Sequence, residues 1–239
     1  MPILALDNVS KSFGALKVAD AVTFALEQGE ALGIIGPNGA GKSTLFNLIT
    51  GNVAVDAGRI TFDGADVTRQ PPMARCLAGV GRTFQIPQPF EKLTVFENLL
   101  VAAAFGSRKT EPEVADRCAN ILVETGLASR ANQPAGSLSL LQRKRLELAR
   151  ALATDPKVLL LDEIAGGLTE AECHALVDTI LAIHTRGASI IWVEHVLHAL
   201  NSVVSRLLVL DFGRVIGIGR PDEIMASKAV REIYLGIEV

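Results

Sequence analysis

The sequence predicts an α/β fold with a mixed, largely parallel sheet, flanked by antiparallel strands and interrupted by a block of helices. The apolar residues 32–35 lead directly into a glycine-rich loop and then a helix, the order found at the ligand edge of such sheets. Residues 158–161 and 189–193 are two more apolar segments of strand length, separated by a helical apolar pattern. Alternating hydrophobicity before residue 30 and at residues 60–62 predicts the flanking antiparallel strands, the second ending at the hairpin-type turn Asp63-Gly64.

The glycine-rich loop fits the phosphate-binding pattern G-x-x-x-x-G-K-[ST] at every fixed position. Its nine residues are Gly36, Pro37, Asn38, Gly39, Ala40, Gly41, Lys42, Ser43 and Thr44. The glycines let consecutive backbone N–H groups converge on an anion, and the N-terminus of the following helix adds partial positive charge there. Lys42 can reach the β- and γ-phosphates, and Ser43 can ligate Mg²⁺. A glycine-rich turn that binds nothing is the alternative, but the order of strand, loop and helix favours a nucleoside triphosphate site.

The composition excludes several classes of protein. A net charge of −3 gives no electrostatic case for nucleic acid binding. Although 49% of the residues are hydrophobic, no apolar stretch approaches the ~18 residues at which a membrane helix is expected. The three cysteines, Cys76, Cys118 and Cys173, are far apart and predict buried free thiols in a reducing compartment, neither a disulfide framework nor a zinc site.

The middle of the chain is predicted to be a helical insertion. Residues 80–85 are interpreted as a strand closed by Gln85, and Ile86 to Phe90 break it. Thr94 is a predicted cap, Gly126 ends a second helix, and residues 141–152 form a third. The parallel core then resumes.

The elements of the second half follow the α/β pattern. The helix between the two later apolar strands is expected to bury one face, made of Cys173, Leu176, Val177, Ile180 and Leu181. Residues 206–210 and 214–218 predict strands, and residues 222–235 predict a helical end.

Carboxylates and a histidine follow the predicted parallel strands. Asp162 and Glu163 end one strand, where the carboxyl edge of the sheet delivers them to the ligand crevice. Asp162 is placed to hold the Mg²⁺ shell, and Glu163 to orient or deprotonate the attacking water. His195 ends the next strand and is expected beside Glu163 as a γ-phosphate contact. The other three histidines, His174, His184 and His198, are interpreted as structural.

Two further candidates depend on position rather than on residue type. The amide of Gln85 could reach Mg²⁺ or the lytic water from the end of its strand. Phe13 could stack on a base or belong to the core, and the residue type alone does not decide between them.

Together these residues resemble the ATP-binding-cassette (ABC) ATPases over essentially the whole chain. The resemblance implies that Phe13 is the base-stacking aromatic, the phosphate loop is the Walker A loop, and Gln85 is the Q-loop residue. It also implies that Asp162 and Glu163 end the Walker B strand and that His195 is the switch histidine. The expected ligands are ATP and Mg²⁺.

The family signature, usually L-S-G-G-Q, is altered in this chain. Its position reads Leu138-Ser139-Leu140-Leu141-Gln142, so two leucines replace both glycines. Within the family this segment faces the γ-phosphate held by a second subunit, which makes Ser139 and Gln142 candidate nucleotide contacts. Ser139 and Gln142 keep capping-box spacing, but the leucines limit close backbone approach. Ile164 is a second departure, since many members have Pro there, and Thr169 stands where the dimer-contacting loop often ends in Asp.

The closest resemblance within the family is to importer ATPases for branched-chain and other hydrophobic amino acids. It depends on softer similarities, at residues 81–85, 93–99, 165–168 and Tyr234-Leu235-Gly236. The resemblance implies one ABC ATPase domain over residues 1–239, with a nucleotide-binding core at 1–85 and 155–239 and a helical subdomain at 86–154.

The same resemblance implies the partners and the place of action. We expect a homodimer, or a heterodimer with a related ATPase subunit, that drives transmembrane permease subunits and, indirectly, a solute-binding protein. The expected location is cytoplasmic, on the inner face of the cell membrane, with residues 86–90 as the docking surface. An export or lipid-extraction ATPase of the same fold stays open. An ABC ATPase acting on DNA and a P-loop kinase are less compatible with the short insertion, the acidic charge and His195.

Overall fold

The computed structural model describes the backbone of residues 1–235 and the side chains of residues 1–232. Gly236, one of the residues that support the likeness to amino acid importers, lies outside the described residues. The strands are β1 (Leu4–Phe13), β2 (Leu16–Leu26), β3 (Ala31–Ile35), β4 (Ala57–Phe62), β5 (Ala65–Asp66), β6 (Val80–Arg82), β7 (Val158–Asp162), β8 (Ser189–Val193), β9 (Arg206–Asp211) and β10 (Arg214–Gly219). The α-helices are α1 (Lys42–Thr50), α2 (Pro72–Ala78), α3 (Val95–Ser107), α4 (Glu111–Glu124), α5 (Leu140–Ala153), α6 (Glu170–Thr185), α7 (Leu197–Asn201), α8 (Pro221–Ala226) and α9 (Lys228–Leu235).

Two sheets form the frame, as the hydrophobic pattern predicts. Six strands make a mixed sheet in the order β10-β9-β3-β8-β7-β6, in which the pairs from β9 to β6 are parallel. Four strands make an antiparallel sheet in the order β2-β1-β4-β5. The strands β3, β7 and β8 are fully buried because helices or the second sheet cover both faces. Their carboxyl ends therefore open onto one edge, where the site lies.

Three apolar clusters hold the layers together. The first packs α1 between the antiparallel sheet and one face of the mixed sheet. The second packs α6, α7 and α8 on the opposite face of the mixed sheet. The third joins α3, α4 and α5 to one another around Val95, Leu99, Cys118 and Leu146. The helical block thus has a core of its own.

Helix caps explain where the helices of that block begin. The Thr94 hydroxyl accepts the amide of Glu97, whose carboxylate accepts the amide of Thr94 in return, so the predicted cap is confirmed. Ser139 and Gln142 make the same reciprocal pair at the start of α5. The substituted signature segment therefore still forms a regular helix N-terminus.

The structure corrects several expectations. Strand β6 ends at Arg82, three residues before Gln85, because the amide of Asp162 bonds to the hydroxyl of Thr83 rather than to a main-chain oxygen. Leu181, which was expected on the buried face of α6, is 36% exposed, and Ile183 is buried on that face instead. Cys76 is only partly buried, unlike Cys118 and Cys173, and the helical end of the chain is divided into α8 and α9.

Helix α2 was not predicted, and a buried arginine accounts for its position. Arg75 donates to the carbonyl oxygens of Leu48 and Ile49 at the C-terminal end of α1, and also to those of Thr68 and Gln70. None of the helices in residues 1–235 combines the length and the apolar composition needed to cross a membrane.

Candidate active site

The phosphate loop joins the end of β3 to the start of α1. Gly41 is the N-cap of α1 and has a φ of +103°, a conformation that side chains disfavour. A Cβ on Gly36 would stand 2.1 Å from the main-chain oxygen of Leu210, so that position accepts only glycine. These two glycines let the loop curl tightly under the helix N-terminus, where main-chain N–H groups and the helix dipole favour an anion.

Lys42 lies across this loop rather than in solvent. Its side chain is buried, and Nζ donates to the main-chain oxygens of Gly36 (2.7 Å) and Pro37 (2.9 Å). Burial lowers the pKa of Lys42, while the charges of Glu163 and Asp162 act in the opposite direction. The ammonium group is therefore held between the loop and the carboxylates at the strand ends.

A cavity of about 460 Å³ opens beside the loop. Its walls are Leu16, Val18, Asn38, Gly39, Ala40, Gly41, Lys42, Ser43, Thr44, Gln85 and Glu163. The antiparallel sheet supplies one wall, the loop the floor, and the residues after β6 and β7 the opposite wall. Most of the loop residues that the sequence predicts thus line one cavity.

Glu163 is the centre of the polar contacts at this edge. One carboxylate oxygen accepts from Nε2 of Gln85 at 2.5 Å, and the other lies 2.9 Å from Nε2 of His195. Three residues that are distant in sequence, Gln85, Glu163 and His195, therefore meet as the strand-end argument expects. Gln85 reaches this position from a loop rather than from a strand end.

Asp162 is buried and paired with an arginine that the sequence analysis did not single out. Arg82 Nη2 donates to Oδ2 of Asp162 at 2.7 Å, and Nη1 donates to Oδ1 of Asn47 at 2.6 Å. The guanidinium lies between the rings of Phe46 and Phe84, 5.5 and 5.0 Å from their centroids. Arg82 thus fixes one oxygen of the carboxylate that the sequence assigns to the Mg²⁺ shell.

Glu194 is a second residue that sequence reasoning missed. Its buried carboxylate accepts the amides of Ala165 (3.0 Å) and His195 (2.9 Å), which joins the loop after Glu163 to the loop that holds His195. Burial raises the pKa of Glu194, and the amide bonds act in the opposite direction. The carboxylate before His195 was a visible signal of this connection, but its orientation into the protein was not.

Lys144 is the third missed residue. Its Nζ donates to the main-chain oxygens of Gln85 (2.7 Å) and Glu163 (3.3 Å), and burial lowers its pKa. A lysine in the middle of a helix carries no sequence signal that distinguishes it from a solvated one.

Seven of the candidate residues do not line the cavity, namely Phe13, Gly36, Pro37, Ser139, Gln142, Asp162 and His195. Phe13 ends β1, is half exposed, and pairs across the hairpin with Leu16, which does line it. Ser139 and Gln142 cap α5 and are not among the residues that line the phosphate loop cavity.

The other three histidines are not among the residues that line the cavity, and their structural role stays a prediction. His184 lies in the last turn of α6, with Nδ1 3.0 Å from the main-chain oxygen of Ala188. His174 and His198 face each other with ring centroids 5.8 Å apart on α6 and α7.

Comparison with known proteins gives consistent results. The model of the family described as "ABC transporter" matches residues 19–166. A probable branched-chain amino acid transport ATP-binding protein, LivG of Archaeoglobus fulgidus, is 36% identical, with 100% of this chain and 97% of that protein covered. The lipopolysaccharide export system ATP-binding protein LptB of Haemophilus influenzae is 31% identical, with 99% and 98% covered.

The fold comparison agrees with the sequence comparison. The crystal structure of the ADP conformation of MJ1267, an ATP-binding cassette of an ABC transporter, superposes with a TM-score of 0.89. It is 33% identical and covers 99% of this chain and 100% of that chain.

Proposed function

This chain belongs to the ABC transporter family and is an ATP-hydrolysing subunit of that kind, and from this premise we propose that it drives the import of branched-chain or other hydrophobic amino acids. The observation that supports the solute class is the similarity to LivG over the whole length of both chains. The softer residues quoted above, such as 81–85 and 165–168, point in the same direction.

We assign nucleotide binding to the cavity beside the phosphate loop. Main-chain N–H groups of Gly39 and of residues 41–44 donate to the phosphates, and Lys42 contacts the β- and γ-phosphates. Lys42 now donates to two carbonyl oxygens of its own loop, and it exchanges these bonds for phosphate oxygens when ATP enters. The half-exposed ring of Phe13, which pairs with Leu16 across the hairpin of β1 and β2, is available to stack on the base.

The residues assigned to Mg²⁺ have the chemistry that this ion prefers. Ser43 offers a hydroxyl oxygen in the cavity wall, Asp162 a carboxylate and Gln85 an amide oxygen, all hard oxygen ligands. When bound, Mg²⁺ neutralises charge on the β- and γ-phosphates. Arg82 holds Oδ2 of Asp162, so the second oxygen of that carboxylate would be the one available to hold the ion.

Glu163 is the proposed general base. Gln85 and His195 contact its two oxygens and hold the carboxylate at the edge of the phosphate cavity. In the hydrolytic step the water oxygen attacks the γ-phosphorus and gives its proton to Glu163, and the bond to the β-phosphate oxygen breaks to release ADP. His195 contacts the γ-phosphate and Lys42 stabilises its charge. The water is thereby oriented and activated by residues of a single chain.

A second subunit completes the nucleotide site in this proposal. Ser139 and Gln142 present the N-terminus of α5 to the γ-phosphate held by the partner, in a homodimer or a heterodimer with a related ATPase. Leu140 and Leu141 lie between those two capping residues and hold the partner's phosphate further from the backbone than glycines do.

The proposed docking surface for the permease is residues 86–90 and the groove behind them. Ile86 and Phe90 are exposed, and a groove of about 270 Å³ next to them is lined by residues including Arg82, Phe84 and Arg150. An exposed apolar surface of this kind fits a cytoplasmic helix of a permease, which supports the proposed location of the subunit at the inner face of the membrane. The permease also connects the subunit to a solute-binding protein.

The groove also marks the proposed division of the chain. We divide it into a nucleotide-binding core, residues 1–85 and 155–239, and a helical subdomain, residues 86–154. The separate core formed by α3, α4 and α5 supports this division within the described residues.

The proposed function is tested by solute uptake in the source organism. Cells with Glu163→Gln in the chromosomal gene should lose the uptake of labelled leucine, isoleucine and valine, while glucose uptake should be unchanged. Affinity capture of the native complex from membranes should yield a permease and a second ATPase subunit. Normal amino acid uptake together with a defect in surface lipid would support the lipid-export alternative suggested by the similarity to LptB.

A further inference from the structure

One buried cation lies beneath the carboxylates of the site. Lys144 stands in the second turn of α5, is 4% exposed, and bonds to the main-chain oxygens of both Gln85 and Glu163. We propose that Lys144 is a positioning residue that ties α5 to both loops of the hydrolytic site, so that the placement of the Glu163 carboxylate depends on the position of α5. The inference rests on the proposed function of Glu163 as the general base.

The backbone of Glu163 shows why a fixed anchor is needed there. Its φ is +44°, in the left-handed region that residues with a Cβ disfavour. Its amide donates to the main-chain oxygen of Val193 at 2.9 Å, and its carbonyl accepts from Lys144 at 3.3 Å. These two bonds hold opposite sides of one residue in the conformation that directs its carboxylate toward Gln85 and His195. The Glu163 carbonyl also accepts the amide of Gly166 at 3.3 Å, but of the three bonds only the one from Lys144 connects this strained residue to α5.

The contact with Gln85 closes the arrangement from the other side. The ladder between β6 and β7 ends at Arg82, so the main chain at Gln85 has left the sheet. Lys144 fixes the carbonyl of Gln85 at 2.7 Å, while the side chain of Gln85 contacts Glu163. Lys144, Gln85 and Glu163 therefore form a closed ring of contacts, in which each residue restrains the other two.

The charges around Lys144 explain why this position is a cation rather than an apolar residue. The carboxylates of Glu194, Glu163, Glu147 and Asp162 all act on it and favour its charged form, against the cost of burial. A charged donor makes stronger bonds to carbonyl oxygens than a neutral one does. An arginine keeps both the charge and the donors, whereas a methionine of similar length keeps neither.

Helix α5 also contacts the loop that follows Glu163. Leu140 Cδ2 lies 3.4 Å from the point where a Cβ on Gly167 would stand. Helix α5 packs both in the helical cluster and, through Leu148 and Ala151, in the cluster on the mixed sheet, so a shift of the helices relative to the sheet reaches the Lys144 contacts through α5. Lys144 thus links the arrangement of the helices to the placement of the Glu163 carboxylate.

The test compares ATP affinity and turnover in a set of variants of the full-length chain. The variants are Lys144→Met, Lys144→Arg, Glu163→Gln, and Lys144→Met combined with Glu163→Gln. Arg117→Met is the matched control, since Arg117 Nη2 also donates to a carbonyl oxygen of α5, that of Leu152 at 2.9 Å. Thermal unfolding is measured for each variant, and turnover is measured below every unfolding midpoint, by single-turnover hydrolysis of labelled ATP.

We expect Lys144→Met to lower kcat about 10- to 100-fold, the scale of a misplaced catalytic group, with the Kd for ATP unchanged within about threefold. Lys144→Arg should restore most of the rate, and Lys144→Met should have little further effect in the Glu163→Gln background, because both changes act through one residue. Arg117→Met should turn over ATP at the wild-type rate.

Three results would overturn the inference: normal turnover in Lys144→Met, parallel losses of ATP affinity and thermal stability that arginine does not restore, or additive losses in the double variant. Wild-type turnover in Glu163→Gln itself would instead contradict the proposed function, so the two failures are distinguishable.

Discussion

The phosphate loop and the start of α5 are each predicted to contact a γ-phosphate, the loop that of its own ATP and α5 that of the partner's ATP, yet only the loop keeps its glycines. In the loop, a Cβ on Gly36 would collide with the main chain of the same molecule at 2.1 Å. At the start of α5, Leu140 is 46% exposed and Leu141 packs at the margin of an apolar cluster, with no such collision. The fold of this chain therefore enforces glycine in the loop and tolerates leucine in α5.

This difference is the one that the proposed two-subunit site predicts. A motif that works inside its own chain is constrained by its own backbone. A motif that faces a second subunit is constrained only in the assembly, so the structure of the single chain shows no steric requirement for glycine there. Ser139 and Gln142, which α5 needs for its own cap, are kept.

The largest expected effect on ligand binding concerns the phosphate loop. Lys42→Ala removes a charge-assisted contact worth ~1.5–3 kcal/mol, and ATP binding should weaken about 10- to 150-fold. Calorimetric titration with Mg-ATP measures this. The control is Lys157→Ala, which removes an exposed lysine that pairs with Asp63 away from the cavity. Unchanged affinity in Lys42→Ala would show that the nucleotide lies elsewhere.

The docking surface gives the next effect. Phe90 is 49% exposed, although its main chain is anchored to Asn98 and its ring lies 5.4 Å from the Arg150 guanidinium. Phe90→Asp should leave ATP binding intact and detach the subunit from membranes, because burial of a Phe is worth ~1.5–3 kcal/mol. Membrane flotation measures the effect. The control is Val123→Asp, a change at another exposed apolar position. A collapsed thermal transition would show instead that Phe90 belongs to the core.

Restoring the glycines sharpens the comparison directly. Leu140→Gly with Leu141→Gly should increase ATP turnover about 2- to 10-fold, the scale of one recovered hydrogen bond. The thermal midpoint should fall slightly, since each glycine costs ~1 kcal/mol in a helix. The matched pair Leu140→Ala with Leu141→Ala should lie in between. Equal turnover in all three proteins would contradict the idea that the leucines limit the contact.

The smallest effect concerns pH and a buried carboxylate of α5. Burial raises the pKa of Glu147, with the charge of Arg150 acting in the opposite direction. The folded state therefore holds this proton more tightly than the unfolded chain does. The stability contribution of Glu147 is complete below its unfolded pKa and is lost as pH rises through the raised pKa.

Glu147→Gln removes this titration. The unfolding free energy of the variant, minus that of the wild type, should therefore increase with pH from about 4 upward. Urea unfolding at several pH values measures it, with the exposed position in Glu111→Gln as the control. A difference that is constant with pH, or that falls, would contradict the assigned shift.

The fold was predictable because its strands have strong local patterns. The apolar segments at β3, β7 and β8, and the alternation of Leu4 and Leu6, are properties of short stretches of sequence. Helix α2 lacks such a pattern, since it is seven residues long and is positioned by Arg75, whose partners are main-chain atoms of other elements. The end of β6 likewise depended on the side chain of Thr83.

The site was predictable where position in a strand determines position in space. Glu163 and His195 follow neighbouring parallel strands, so their proximity follows from sheet geometry. Arg82, Lys144 and Glu194 were not predictable, because a charged residue is normally solvated and its burial depends on partners supplied by other elements. These three hold the predicted residues in place.

The most direct test of the account is the oligomeric state of Glu163→Gln in the presence of Mg-ATP. The amide keeps the shape of the carboxylate but cannot accept a proton, so hydrolysis should fall about 10²- to 10⁴-fold while ATP stays bound. If ATP closes a dimer through the start of α5, light scattering should then show a dimer with ATP and a monomer without it. An ATP-bound variant that stays monomeric would contradict the two-subunit site, and a variant that hydrolyses ATP at the wild-type rate would contradict Glu163 as the general base.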